Sequence, residues 1–189
     1  IDLKGRLLVP GFTDAHIRAV VRRGRMTSPG AERFLVRTLI RRRDRIAREY
    51  LTRHVPLARF RLVRRTRGRP AQSLCFEDLA IEHAGVDPEL VRYKIRAFGG
   101  RQLRRRLGWL QFHPDPRHPR RSCVLLPVGD RRPADLLAGP GAPDDHPLRY
   151  AVVRIHVSQT LDGRATTAEV HVVDLGPRRG FRIVGIRRP

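Results

Sequence analysis

The strongest constraint on the fold is the alternation of apolar and polar residues over about the last forty positions. Two turn signals divide this stretch into three segments: the Asp162-Gly163 pair, and residues 176–180 with two glycines and a proline. Period-two alternation indicates strands with one buried face, and Asp-Gly is a strong hairpin signal. We therefore expect a C-terminal three-stranded antiparallel meander. Its apolar positions are Tyr150, Val152, Val153, Ile155 and Val157, then Ala168, Val170 and Val172, then Phe181, Ile183 and Ile186.

A two-residue turn at Asp162-Gly163 also predicts the pairing of the first two strands. In that register His156 faces Glu169, and Arg154 faces His171. Cross-strand pairs of this kind stabilise a sheet face by a few tenths of a kcal/mol. We interpret them as structural.

A long basic helix is predicted near the N-terminal end. Ser28-Pro29 has the form of an N-cap followed by proline in the first turn, and Glu32 is an acid where the helix dipole favours one. We expect this helix to run from about residue 29 to 53. Its apolar face is expected at Leu35, Leu39, Ile46 and Tyr50, beside a stripe of Arg37, Arg41, Arg45 and Arg48.

The middle of the chain mixes strand-like and helix-like patterns. Alternation over residues 58–77 predicts a hairpin, and alternation over 91–97 predicts a further strand. Leucines at 103, 107 and 110, spaced by four and three residues, predict a short basic amphipathic helix. Residues 113–147 are rich in Pro, Gly, Asp and Arg and predict a long loop, interrupted by a strand at 123–128.

These elements together predict an α+β fold with a long N-terminal basic helix, a mixed middle and the C-terminal meander. Residues 1–27 are expected to form an N-terminal arm and residues 28–189 a single domain, because the length fits one domain and 40% hydrophobic residues can build a core. No apolar run is long enough to span a membrane. The two cysteines, Cys75 and Cys123, could form one bridge at most, and we expect them to be buried free thiols instead.

The net charge of +22 favours a polyanionic partner. All but two of the 40 basic Lys and Arg residues are arginine, and the chain contains no asparagine, which is the codon bias of a GC-rich genome. That bias explains the choice of arginine over lysine. It does not explain why 40 basic residues stand against 18 acidic ones, so we interpret the excess as functional.

Residues 1–18 contain the segment VPGFTDAH, ending at His16. This segment resembles the N-terminal strand motif of the amidohydrolase superfamily, metal-dependent hydrolases built on a (β/α)₈ barrel. The resemblance implies that His16 corresponds to the first metal-binding histidine of that motif. Arg18 stands where the family has its second histidine. On this resemblance alone, the chain would be a degenerate fragment of a metal-dependent hydrolase.

Other enzyme signatures are absent from the sequence. It contains no GxGxxG, GxxxxGK(S/T), HExxH or GxSxG motif, and no Cys/His pair at zinc spacing. We therefore predict no catalytic residues, no metal and no cofactor.

Three arginine clusters carry the functional hypothesis. Guanidinium groups bind phosphate oxygens bidentately and stack on bases, and a neighbouring aromatic ring can stack as well. The sequence thus predicts non-enzymatic nucleic-acid binding, with RNA preferred over DNA, in a ribonucleoprotein. The alternative is an accessory or scaffold domain whose charge is incidental or meets an acidic protein. The predicted nucleic-acid-binding residues are Arg41, Arg42, Arg43 and Arg45, then Arg64, Arg65, Arg67 and Arg69, then Arg104, Arg105, Arg106 and Trp109.

Overall fold

The computed structural model describes residues 11–64, 72–99, 105–126, 150–159, 165–175 and 180–189. Strands predominate in these residues, which form two antiparallel sheets and three α-helices. The predicted fold class, a long helix followed by a single meander, is therefore wrong. The reason is that strands from the middle of the chain build one sheet of their own and extend the other.

The elements follow one another along the described ranges. The helices are α1 (Asp14–Arg23), α2 (Pro29–Arg53) and α3 (Leu79–His83), with a 3₁₀ turn at Pro88–Leu90. The strands are β1 (Leu57–Arg64), β2 (Gln72–Asp78), β3 (Val91–Gly99), β4 (Arg105–Phe112), β5 (Arg121–Leu125), β6 (Tyr150–Gln159), β7 (Ala165–Asp174) and β8 (Phe181–Arg187).

The first sheet has the order β1-β2-β5 and the second the order β4-β3-β6-β7-β8. The hairpin predicted over 58–77 is confirmed as β1 and β2, and the three strands of the meander are confirmed as β6, β7 and β8. The meander is only part of its sheet, because β3 pairs with β6 along its whole length from Val91 to Gly99. The predicted strand at 123–128 is β5, one edge of the first sheet; residues 127–149 lie outside the described ranges.

The basic amphipathic helix predicted around Arg104–Arg106 is a strand, β4. It pairs with β3, and the pairing places Leu110 and Phe112 opposite buried Ile95 and Tyr93. Leucines spaced by three and four residues fit a helix in isolation. Here the hydrogen bonds to β3 and the apolar contacts of alternate residues override that spacing.

The two sheets pack face to face around one hydrophobic core. Phe76 of β2 meets Tyr93 of β3 edge to face at 5.2 Å between ring centroids, and the ring centroid of Phe112 on β4 also lies 5.2 Å from that of Tyr93. At the opposite edge Arg188 donates hydrogen bonds to the carbonyl oxygen of Leu57. These contacts leave the other face of the five-stranded sheet directed away from the core.

A buried carboxyl group joins both sheets and α3. Asp78 ends β2 and caps α3, accepting a hydrogen bond from the Ala80 amide at 2.9 Å and another from the Tyr93 hydroxyl at 2.8 Å. Burial raises the pKa of Asp78 above its ordinary value, although these hydrogen bonds oppose the shift. Burial, followed by the Asp78 charge, also raises the pKa of Tyr93. Because Asp78 and Tyr93 are both buried, we interpret their hydrogen bond as a structural contact between the two sheets.

The prediction of free thiols is wrong, because Cys75 and Cys123 form a disulfide. The two residues lie directly opposite each other on β2 and β5, with 4.1 Å between their Cα atoms. The sequence places them 48 positions apart, so only the strand pairing reveals that their side chains meet. The bridge fastens an edge strand to the centre of its sheet.

Helix α2 confirms the predicted boundaries, including the Ser28 side chain as N-cap. Its buried face differs from the predicted one: Ile46 is exposed, while Val36, Ala47 and Leu51 are buried. The helix has two adjacent apolar faces. The face that contains Ala47 and Leu51 packs into the core, and the neighbouring face that contains Ile46 does not. Within the predicted arm, α1 packs against α2.

Candidate nucleic-acid interface

The outer face of the five-stranded sheet, here named the basic sheet face, gathers charged side chains from all five strands. Strand pairing aligns one row across the sheet, because residues directly opposite each other share a face. The row runs Trp109 on β4, Arg96 on β3, Arg154 on β6, Glu169 on β7 and Arg187 on β8.

A second row lies two residues along the strands and contains Gln111, Lys94, His156 and Thr167. Cations outnumber acids on this face. Its basic side chains are Arg92, Lys94, Arg96, Arg106, Arg154, Arg182 and Arg187, and Glu169 is its carboxylate within the described strands.

Glu169 neutralises only part of this charge. Its carboxylate accepts a hydrogen bond from Nε of Arg154 at 2.8 Å and lies 3.8 Å from a guanidinium nitrogen of Arg187. In the part of the chain that the structure describes, Nε of Arg96 is buried and has no hydrogen-bond partner. Unpaired buried donors of this kind are rare in proteins.

The imidazole of His156 lies among these cations. Burial lowers the pKa of His156, and the charges of Arg96, Lys94 and Arg154 lower it further. Nδ1 of the ring is 2.9 Å from the hydroxyl of Thr167 on the neighbouring strand. The three neighbouring cations make the surroundings of His156 positively charged.

Aromatic rings accompany the charges. Trp109 is 60% exposed on β4, directly opposite Arg96. The guanidinium carbon of Arg154 lies 5.0 Å from the ring centroid of Phe98, within cation–π distance. The hydroxyl of Tyr150 hydrogen-bonds to His171, and burial, followed by the Glu169 charge, raises the pKa of Tyr150.

The structure separates the residues predicted from sequence. In the first cluster Arg41, Arg42 and Arg45 are exposed on α2, whereas Arg43 is mostly covered by its partners. Arg105, Arg106 and Trp109 lie on β4, and Arg106 and Trp109 belong to the basic sheet face. Arg64 ends β1. Four further predicted positions fall outside the described residues: Arg65, Arg67, Arg69 and Arg104.

Arg43 joins α1 to α2. Its guanidinium group lies 2.8 Å from a carboxylate oxygen of Asp14, donates to the carbonyl oxygen of Phe12 at 2.8 Å, and pairs with Asp44 at 2.7 Å. The guanidinium group of Arg43 therefore already has three acceptors within the protein, although the sequence analysis predicted it as a phosphate contact.

We expect Arg43→Gln to lower the free energy of unfolding by about 1 kcal/mol, the scale of a charge-assisted contact near the surface. It should also speed hydrogen exchange of the α1 amides. Arg41→Gln, on the same helix and exposed, is the matched control and should leave both quantities unchanged. Equal destabilisation by the two substitutions in urea titrations would show that Arg43 has no special role.

Sequence reasoning missed Arg92, Lys94, Arg96 and Arg154. Alternation of three basic residues with apolar ones along the predicted strand 91–97 was the available signal. The predicted register of β6 and β7 was also wrong by two residues: Arg154, not His156, faces Glu169. In the observed register Arg154 and Glu169 form an ion pair, and His156 lies opposite Thr167 instead of a charged residue.

His16 lies in the first turn of α1, where its amide donates to the Thr13 hydroxyl and its ring approaches the carbonyl oxygen of Gly11. Arg18 is 3.7 Å from Asp14. Across the described ranges no group of three or more His, Cys, Asp or Glu side chains is arranged to hold a metal ion. The relation to amidohydrolases stays a prediction.

The fold and the site define a two-sheet antiparallel protein with a basic, partly aromatic outer sheet face. No protein-family model matches the chain, and no curated protein matches it in sequence. None of the helices in the described ranges has the length and apolar character needed to cross a bilayer.

Proposed function

We propose that this protein binds nucleic acid, RNA in preference to DNA, through the basic sheet face. The observation that carries the proposal is the excess of cations, which come from four of the five adjoining strands, against the single carboxylate of Glu169 among the described residues of this face. A polyphosphate chain offers the complementary charge at regular intervals, and arginine binds phosphate oxygens in bidentate fashion.

The arrangement of these cations supports binding of an extended polyanion. Neighbouring strands are about 4.8 Å apart, so Arg96 and Arg154 lie side by side and Lys94 lies two residues along from Arg96. Several phosphates along one chain can therefore contact this face together. A compact anion would use only part of it.

The exposed arginines of α2 form the competing surface. Arg37, Arg41 and Arg45 recur every four residues, which places them along one side of the helix. Phe34 is exposed on the same helix, but these arginines form a single row, whereas the sheet brings cations from adjoining strands together. We therefore assign the principal contact to the basic sheet face.

Binding of a labelled single-stranded RNA at two salt concentrations tests the proposal. With about four phosphate contacts, affinity should fall roughly 50-fold between 50 and 200 mM salt. An excess of polyglutamate, which carries charge without bases, should displace the RNA poorly. No retention at ~50 mM salt would overturn the proposal. Displacement at equal charge by polyglutamate would instead favour an acidic protein partner.

We expect RNA affinity to rise about three- to tenfold as the pH falls from about 7.5 to about 5.5. In the unbound protein, burial and the three cations hold the pKa of His156 below its ordinary value. A bound phosphate opposes that field and favours the imidazolium, so binding takes up a proton. Protonation at lower pH therefore strengthens binding.

Anisotropy titrations across this pH range measure the effect. His156→Gln should flatten the profile. His118→Gln, which alters an exposed histidine between β4 and β5, should retain it. A profile that is unchanged in His156→Gln would remove this histidine from the site.

A further inference from the structure

We infer that the ligand of the basic sheet face is single-stranded, with one base stacked on the indole ring of Trp109. This inference rests on the proposed function and specifies its substrate class. Two independent features of the face carry it: its shape and the position of its exposed aromatic ring.

The shape of the face argues against a double helix. The major groove of B-form DNA admits a helix or a two-stranded ribbon, and the major groove of A-form RNA is too deep and narrow for side chains to read. A sheet of five adjoining strands presents a surface broader than either groove accepts. The minor groove of A-form RNA is wide and shallow, but in a duplex the flat faces of the bases stay stacked on one another and cannot cover an exposed ring. A single strand can lie across such a surface and turn its bases toward the protein.

The position of Trp109 supplies the second feature. A large apolar ring that is 60% exposed gains by being covered, and a nucleobase covers it with a flat face. Trp109 lies on the outermost strand of the described sheet, directly opposite Arg96. A base stacked on this ring brings its flanking phosphates next to Arg96, and the strand continues toward Arg154 and Lys94.

The chain contains one tryptophan, so its fluorescence reports on Trp109 alone. Titrating the wild-type protein with an oligouridine of about 12 nucleotides should quench this fluorescence in step with the anisotropy of the labelled oligonucleotide. The corresponding RNA duplex should bind more weakly and quench less. A DNA oligonucleotide of the same sequence tests the preference for RNA.

Three variants separate stacking from other effects. Trp109→Ala should lose about tenfold in affinity with an unchanged salt slope, because no charge is removed. Trp109→Phe should recover most of the loss. Phe34→Ala, which removes a ring 65% exposed on α2, is the matched control and should keep wild-type affinity.

The outcomes distinguish this inference from the proposed function. Salt-dependent binding of the oligouridine without quenching, or with full affinity in Trp109→Ala, would overturn stacking and leave the nucleic-acid proposal standing. Tighter binding of the duplex than of the single strand would overturn the substrate class. Absence of binding to every oligonucleotide would overturn the proposed function itself.

Discussion

The double variant Arg96→Gln/Arg154→Gln should bind single-stranded RNA about 100-fold more weakly than wild type at ~50 mM salt. Each arginine is expected to supply a charge-assisted phosphate contact worth roughly 1.4 kcal/mol, and each such step is about tenfold in affinity. The slope of log affinity against log salt should fall by about 1.4, because one phosphate contact contributes about 0.7 for a single strand.

A charge-matched variant on α2 is the control for this result. Arg41→Gln/Arg45→Gln also removes two positive charges, so any loss that comes only from net charge appears in both proteins. We expect the α2 variant to lose no more than about threefold, because Arg41 and Arg45 make none of the phosphate contacts proposed for the sheet face and salt screens the remaining effect of exposed charges. A loss in the α2 variant equal to that of the sheet variant would place the interface on the helix.

Neither double variant should unfold the protein. Arg154 is about half-exposed while its partner Glu169 is mostly covered, so we expect the loss of this ion pair to cost about 1 kcal/mol, the upper end for surface pairs. In the variant the Glu169 carboxylate still has the guanidinium group of Arg187 as a neighbouring positive charge. Urea midpoints measured on the same preparations verify that a change in affinity is not a change in the folded fraction.

Removing the disulfide should have the largest effect on stability. For Cys75→Ala/Cys123→Ala we expect a loss of about 2–4 kcal/mol in the free energy of unfolding, since a bridge that closes a loop of 48 positions restricts the unfolded chain by about 4 kcal/mol in the chain-entropy account. The bridge also holds β5, whose Ser122 and Val124 are buried.

Urea titrations with and without reductant provide the measurement. Reductant should lower the wild-type midpoint to that of the double variant and leave the variant unchanged. RNA affinity should be the same in both proteins, because the disulfide lies in the three-stranded sheet and the proposed binding residues lie in the other. A wild-type midpoint that does not respond to complete reduction would contradict the stabilising role of the bridge.

Local signals in the sequence predicted several elements correctly. The N-cap at Ser28 located the start of α2, and period-two alternation located β1, β2, β3 and the three strands of the meander. In these segments local propensity and burial favour the same structure. The order of strands in the sheets was not accessible in this way, because pairing such as that of β3 with β6 joins segments far apart in the chain.

The site was less predictable than the elements. Trp109 and Arg106 were predicted as binding residues, but on a helix, where they could not have lain opposite Arg96 and Phe98. The sequence also did not reveal that Arg43 contacts Asp14 of α1 and the carbonyl oxygen of Phe12, because these contacts depend on how α1 packs against α2. Arginine clusters in sequence draw attention to consecutive residues, whereas a sheet face collects alternate residues from several strands.

Photochemical crosslinking locates bound nucleic acid on the protein and so tests whether it contacts the basic sheet face. Wild-type protein bound to oligouridine at ~50 mM salt is irradiated with ultraviolet light, and crosslinked peptides are identified by mass spectrometry. We expect crosslinks in β3, β4 and β6, with Trp109, Phe98 and Lys94 among the modified residues. Crosslinks confined to α2 would contradict this expectation.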